Sequence, residues 1–219
     1  MGASAAEAQI DTESSLVARL EADLLAGHFR PGEWLKQADI ESAYGANRFD
    51  VRMALLDLKA RQLIEHVRNR GFRVISLSER EREELTETRT ILESAAVRMA
   101  AQKISKEAVD ELAAIVDEFE AKMADSDLDV LRGLNALFHD KLYENCGNAV
   151  LAREIKALRQ RGLPGSRGTW SWRTLTGIRS SHQDHVEMIR LLRKRDSEGL
   201  AQLVDHHLNR WRDYAPKPA

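Results

Sequence analysis

The hydrophobic positions of the chain recur at helical spacing over most of its length. From Ser14 onward, leucines stand four residues apart at Leu16, Leu20 and Leu24. This spacing predicts an amphipathic helix that ends near Gly27. The preceding residues, 1–13, are small and acidic, and we expect them to form a flexible N-terminus.

Two more short helices and a hairpin are predicted next. The second helix carries Ile40 and is expected to end at Gly45, and Asn47 can cap the third. The period then changes, because residues 64–68 and 72–75 are short β-prone runs around a turn that contains glycine. Three short helices and a hairpin within about sixty residues are typical of a winged helix-turn-helix.

Beyond residue 78 the pattern is helical throughout. Ser78 and Glu81 have the spacing of a capping box and predict the start of a long helix. The apolar stripe of that helix is expected at Leu85, Thr88, Leu92, Ala95 and Met99. The next helix follows Ser105, with a predicted stripe of Val109, Leu112, Val116 and Phe119. Four further helices are predicted at 128–145, 150–161, 171–195 and 197–214.

The predicted fold is therefore mainly α. A winged helix-turn-helix is expected over residues 14–78, and an antiparallel bundle of about six helices over residues 79–217. The composition supports this prediction, because the 219 residues are 43% hydrophobic and 5% aromatic and include only 12 glycines and 4 prolines. So few turn formers and aromatic residues argue against an all-β fold.

Composition also limits where the protein is expected to work. The single cysteine, Cys146, excludes an internal disulfide, which is typical of a reducing compartment. No apolar run approaches the roughly 18 residues of a membrane span, and the N-terminus lacks the basic region of a secretory signal. We therefore expect a cytoplasmic protein with no membrane partner.

Positive charge is concentrated on the predicted third helix and hairpin. The net charge of the chain is −2, yet residues 48–73 contain seven basic and three acidic residues. Arg48, Arg52 and Lys59 fall on one flank of the third helix, about a quarter-turn from its core stripe. This arrangement has the chemistry of a recognition helix, since arginine pairs with guanine edges and lysine holds phosphates. An ordinary solvated helix face is the alternative.

The segment from Pro31 to Ser78 resembles the DNA-binding domain of GntR-type bacterial transcription regulators. The resemblance is carried by Pro31-Gly32, Leu35, Ile40, Gly45, Arg48, Val51-Arg52, Ala54-Leu55, Leu58, Leu63-Ile64, Asn69-Arg70-Gly71 and Val74. It implies contacts to double-stranded DNA from Arg48, Phe49, Arg52, Lys59, Arg68, Arg70 and Gly71. The chain departs from the family at Phe49-Asp50, where Thr-Pro is usual, at Met53, where Glu is usual, and at Gln62, where Gly is usual.

Histidines are concentrated in the helical half. Asn135 and His139 are four residues apart and share a helix face, while His185 and His207 lie mid-helix among apolar residues. Polar groups that point into a bundle need partners, and one metal ion would satisfy three imidazoles together. The alternative is that each histidine is separately structural or exposed.

The helical half resembles the FCD-type ligand-binding domain of the FadR subfamily. That family has Asp-x-x-x-His, then an acid followed by His, then a late His; here these positions are Asn135 to His139, Asp184-His185, and His207. The resemblance implies a divalent transition metal (zinc, nickel or manganese) held by Asn135, His139, His185 and His207. It also implies that Arg89 binds the carboxylate of an effector, although Arg89 can instead pair with Glu93 within its own helix. His182 and His206 are expected at the surface or just outside the ligands.

Taken together, these features predict a dimeric, ligand-responsive transcription regulator rather than an enzyme. Its expected partners are a DNA operator, a small carboxylate effector and a second copy of the chain. A helical metalloenzyme with a three-histidine site is one alternative, although the sequence has no H-E-x-x-H motif and no convincing general base near the ligands. A regulator whose effector pocket is purely structural is another.

Overall fold

The computed structural model describes residues 16–124, 128–162 and 174–210. These residues divide into two compact units. The first runs to Ser78 and the second begins at Glu79, with a short segment that starts at Gln160 grouped with the first. None of the described helices is long and apolar enough to cross a membrane.

The first unit combines three helices with a small sheet. Its elements are α1 (residues 16–26), β1 (Trp34–Leu35), α2 (Gln37–Tyr44), α3 (Arg48–Ala60), β2 (Ile64–Val67) and β3 (Gly71–Val74). The three strands form an antiparallel sheet in the order β1-β3-β2. This arrangement confirms the predicted winged helix-turn-helix.

The sequence signals at the ends of these elements are confirmed. Gly45 takes the left-handed conformation, with φ of 64°, and ends α2. The Asn47 side chain accepts a hydrogen bond from the Asp50 backbone N–H and so caps α3. The apolar side of α3 is buried against α1 and the sheet, at Val51, Ala54, Leu55 and Leu58. The hairpin is extended by β1, which the sequence analysis missed because two residues are too few to show a period.

The second unit is a bundle of six described helices. They are α4 (Glu79–Lys103), α5 (Lys106–Met123), α6 (Leu128–Glu144), α7 (Ala149–Gly162), α8 (Leu175–Lys194) and α9 (Ser197–Asn209). Ser105, Thr174 and Asp196 cap α5, α8 and α9 through their side chains. The predicted helical parts at 171–173 and 211–214 lie outside the described residues.

The predicted stripe of α5 is confirmed, whereas that of α4 is confirmed only in part: Leu92 and Met99 pack against the core. Val109, Leu112, Val116 and Phe119 are all buried. On α4, Thr88 and Ala95 are exposed. The buried positions of α4 are Glu93, Ala96, Val97, Ala100 and Ala101. Small residues let α4 lie close to α9, and the alanines that make this contact carry too weak an apolar signal to have been predicted.

Candidate functional site

The first unit exposes a basic surface on α3. Asn47 caps the helix, so that Arg48 stands at its first position, and the buried face fixes its rotation. Arg48, Arg52 and Lys59 are exposed, and within the described part of the chain none of them has an ion pair. Their positive charges are therefore free to meet an external anion.

Two of the seven basic residues of this region are neutralised by acidic neighbours. Arg61 Nη1 lies 2.6 Å from Glu21 and its Nη2 lies 2.6 Å from Asp57. Arg73 Nε donates to Glu65 across the hairpin over 2.7 Å. The residues left with available charge are the five that the sequence analysis assigned to DNA: Arg48, Arg52, Lys59, Arg68 and Arg70.

The turn between β2 and β3 presents Arg68 and Arg70. Asn69 and Gly71 both have positive φ, of 63° and 97°, which closes the turn and exposes the arginines on either side of Asn69. The Arg70 guanidinium stacks over the Trp34 ring at 4.7 Å from its centroid. The stack holds the wing arginine in place while leaving its charge in solution.

The second unit brings together three of the predicted metal ligands. His139 on α6, His185 on α8 and His207 on α9 each offer a nitrogen, and these nitrogens lie within 4.8 Å of one another. The Nε2 atoms of His139 and His185 are 3.3 Å apart. Two nitrogens that each bind a tetrahedral ion at about 2.0–2.1 Å are separated by about this distance. An N–H···N hydrogen bond between the two rings would give a similar separation.

An outer carboxylate positions His207. The Nδ1 atom of His207 is 2.8 Å from Asp184 Oδ2, and the Arg210 guanidinium pairs with the other oxygen of Asp184. The hydrogen bond at Nδ1 leaves Nε2 of His207 as the nitrogen available to a ligand. Asp184, which precedes His185 in the sequence, therefore orients His207, and both of its carboxylate oxygens already have partners.

The two buried imidazoles are neutral at ordinary pH. Burial lowers the pKa of His139 and His185 well below the usual range, and the nearby Arg159 charge lowers both further. A neutral imidazole offers an unprotonated nitrogen, which is the form that binds a metal ion. This buried environment therefore suits His139 and His185 to bind a metal ion.

Asn135 fits the same site. It lies one turn before His139 on α6, and its Oδ1 atom is buried without a hydrogen-bond partner among the described residues. A buried amide oxygen without a partner is costly, and coordination to a cation would satisfy it. Three imidazoles and an amide oxygen suit a borderline transition metal.

A buried carboxylate cluster includes Arg89. Glu93 is fully buried and accepts from Arg89 Nε over 2.7 Å and from the Tyr143 hydroxyl, with Arg159 Nη1 at 3.7 Å. Burial alone raises the pKa of Glu93, but the two arginines and the Tyr143 hydrogen bond outweigh it and lower the pKa. Burial and the Glu93 charge raise the pKa of Tyr143 well above its usual value. Arg89 thus makes the helical pair that the sequence analysis held as an alternative, and two guanidinium groups share one carboxylate.

Three residues of these clusters escaped the sequence analysis. Tyr143 follows His139 by four residues, so helical spacing offered a signal for it. Arg159 and Arg210 offered none, since their approach depends on how α7 and the end of α9 pack. Of the two remaining histidines in the helical half, His206 is exposed, while His182 is buried and stacks on the Phe119 ring at 5.6 Å.

Comparison with known protein families agrees with the geometry of both units. Residues 12–74 match the model of bacterial regulatory proteins of the gntR family, and residues 84–210 match the FCD domain. The chain belongs to the GntR family and carries an FCD domain. The match identifies a DNA-binding transcription regulator.

Several characterised regulators are similar to this GntR-family protein over most of its length. The Nta operon transcriptional regulator of Aminobacter aminovorans is 27% identical over 187 residues, which cover 84% of each chain. The HTH-type transcriptional repressor GlaR of Escherichia coli K12 is 27% identical over 196 residues, or 86% of this chain and 89% of GlaR. The structure of E. coli McbR/YncC has a TM-score of 0.81 at 20% identity and covers 93% of this chain and 98% of its own. The likeness to McbR/YncC shows the fold.

Proposed function

We propose that this GntR-family regulator binds an operator through α3 and the wing, and a small carboxylate together with a divalent metal through its FCD domain. The observation that carries the proposal is the contrast between two sets of polar groups. Five basic side chains face solvent without acidic partners in the described first unit, and three imidazoles converge inside the second. The former suit DNA, and the latter suit a ligand-controlled switch.

The DNA contacts divide by position. Arg48 and Arg52 lie in the N-terminal half of α3, the part of a recognition helix that contacts base edges, and we assign base reading to them. Phe49 lies between them. Lys59 near the end of α3, and Arg68, Arg70 and Gly71 on the wing, are assigned to phosphates and the groove edge.

The metal is proposed to bind Asn135, His139, His185 and His207. A bound divalent ion would supply positive charge that attracts an anionic ligand. The chain supplies the rest: Asp184 orients His207, and burial keeps His139 and His185 unprotonated. Imidazole donors favour zinc or nickel over magnesium or calcium, whereas manganese, the third candidate, is a harder ion that prefers oxygen ligands.

The effector is proposed to be a small organic acid held by Arg89. Glu93 neutralises only one of the two guanidinium groups that approach it, Arg89 and Arg159, so the cluster retains a net positive charge. A ligand carboxylate would balance that charge through charge-assisted hydrogen bonds. Arg89 lies on α4 and His139 lies on α6. Such a ligand would therefore change how these two helices pack against each other, and so shift the population of DNA-binding conformers.

The metalloenzyme alternative lacks a base. Among the described residues, the buried acids are Asp184, engaged by His207 and Arg210, and Glu93, engaged by Arg89, Arg159 and Tyr143. Neither carboxylate is available to activate a water molecule. The observed contacts therefore favour a binding site over a catalytic one.

For DNA binding, Arg52→Ala is expected to weaken binding to a selected operator by about 1–3 kcal/mol, the cost of losing a bidentate base contact. Lys59→Ala should weaken binding to all sequences alike and reduce the salt slope by about 1. Fluorescence anisotropy over a salt series measures both. Arg61→Ala is the matched control with a small effect, since Arg61 is held by Glu21 and Asp57. Unchanged operator affinity of Arg52→Ala would refute the recognition-helix assignment.

A homodimer is expected because two-fold proteins match paired DNA half-sites. The FCD domain should supply most of the interface, and the exposed Val130 and Leu137, seven residues apart on α6, are apolar candidates for it. Light scattering at micromolar concentration should give twice the 24.8 kDa chain mass. A chain-sized particle with and without DNA would contradict the dimer.

For the metal, calorimetric titration of chelator-treated protein with zinc and manganese is expected to show binding that a chelator readily reverses. Asn135→Asp should tighten it, with the larger proportional gain for manganese, because a carboxylate adds negative charge and is a harder ligand. His185→Ala should nearly abolish it, whereas His206→Ala, an exposed histidine beside His207, should not.

Two results of this titration would count against the site. Equal affinities for wild type and Asn135→Asp would show that residue 135 does not touch the metal. Wild-type affinity in His185→Ala would remove the three-histidine site as a whole.

For the effector, a panel of mono-, di- and tricarboxylic acids is expected to include one that raises the melting temperature of the wild-type protein. Arg89→Ala should lose this response while keeping operator affinity, and Arg89→Lys should retain part of it. Arg98→Ala is the control, since Arg98 lies on the same helix but pairs with the exposed Glu198. A response of Arg89→Ala at the wild-type concentration would exclude Arg89 as the carboxylate ligand.

A further inference from the structure

The outer face of α3 is apolar. Phe49, Met53 and Leu56 are 59%, 41% and 41% exposed, although all three are large hydrophobic residues. At about 100° per residue they fall within an arc of about 60°, directly opposite the buried stripe that contains Val51 and Leu58. A contiguous exposed stripe of this kind, unlike a single exposed apolar residue, indicates a contact surface.

The two flanks of this stripe differ in charge. Arg48, Arg52 and Lys59 border one side and have no ion pair within the described ranges. The acids on the opposite flank are engaged within the first unit: Asp50 accepts from Asn47 Nδ2 over 2.7 Å, and Asp57 lies 2.6 Å from Arg61. The stripe therefore lies beside unpaired positive charge.

Free cations beside an apolar stripe fit the major groove of DNA better than another protein surface. The phosphates that line the groove attract the cations. The apolar group that the base edges present there is the 5-methyl group of thymine, which takes contacts from apolar side chains such as phenylalanine. Phe49 is the second residue of α3, between Arg48 and Arg52, and Met53 is one turn further on.

We propose that Phe49 and Met53 read thymine 5-methyl groups in the major groove, so that the operator carries thymines at the positions facing them. The inference rests on the proposed function, because it requires α3 to enter the groove. It adds apolar recognition to the guanine contacts assigned to Arg48 and Arg52. Two residues at which this chain departs from its family thereby become determinants of its operator.

The test begins with an operator selected from random duplex DNA by the full-length protein. Each thymine of that operator is then replaced in turn by uracil, which removes the methyl group and keeps the base pairing. At one or two positions per half-site, uracil is expected to weaken wild-type binding about threefold to fivefold, the effect of one buried methyl group. The double variant Phe49→Ser, Met53→Gln should bind the thymine and uracil operators equally.

Controls separate this inference from the proposed function. Ile91→Gln, a change at an exposed apolar residue of α4, should keep the wild-type response to uracil. Circular dichroism confirms that each variant is folded. A failure to select any sequence would overturn the proposed function and the thymine inference with it.

Three further outcomes would overturn only the thymine inference. One is a selected operator that wild type binds equally with thymine or uracil at every position. A second is a double variant that loses as much affinity on uracil substitution as wild type. The third is a double variant whose particle mass by light scattering changes while the uracil effect persists, which would assign the stripe to a protein contact.

Discussion

Polar side chains buried in the FCD domain must find their partners within it, and this requirement governs the rest of the site. Glu93, His139, Asp184 and His185 are all buried. A buried charge that loses its partner costs about 3–5 kcal/mol. Each buried acid has an arginine partner: Glu93 lies against Arg89 and Arg159, and Asp184 lies against Arg210.

These pairings connect the helices that build the site. The Glu93 cluster joins α4 to α6 through Tyr143 and to α7 through Arg159. The Asp184 cluster joins α8 to α9 through His207. The acids are thus satisfied, while Asn135 Oδ1 keeps no hydrogen-bond partner among the described residues. The unpartnered oxygen is why we assign a cation to the imidazole site. Two guanidinium groups share the single carboxylate of Glu93, and this is why we assign an anion to the arginines.

The sequence predicted the elements better than the contacts between them. The short helices, Asn47 as a cap and the stripe of α5 follow from local rules, and they are confirmed. The α4 face was predicted only in part, because close packing selects alanines, whose apolar signal is weak. Likewise, Arg159 meets Glu93 through tertiary packing, which a linear pattern does not record. The three histidines were found because each lies mid-helix among apolar residues, and the family pattern then supported the choice.

The most direct test of this account is anomalous diffraction from crystals grown with zinc, recorded on both sides of the zinc absorption edge. The account predicts one strong peak per chain, bounded by the nitrogens of His139, His185 and His207, with Asn135 Oδ1 within bonding distance of about 2.0–2.2 Å. Zinc bound only at surface residues, with His139 Nε2 and His185 Nε2 sharing a hydrogen bond, would contradict it.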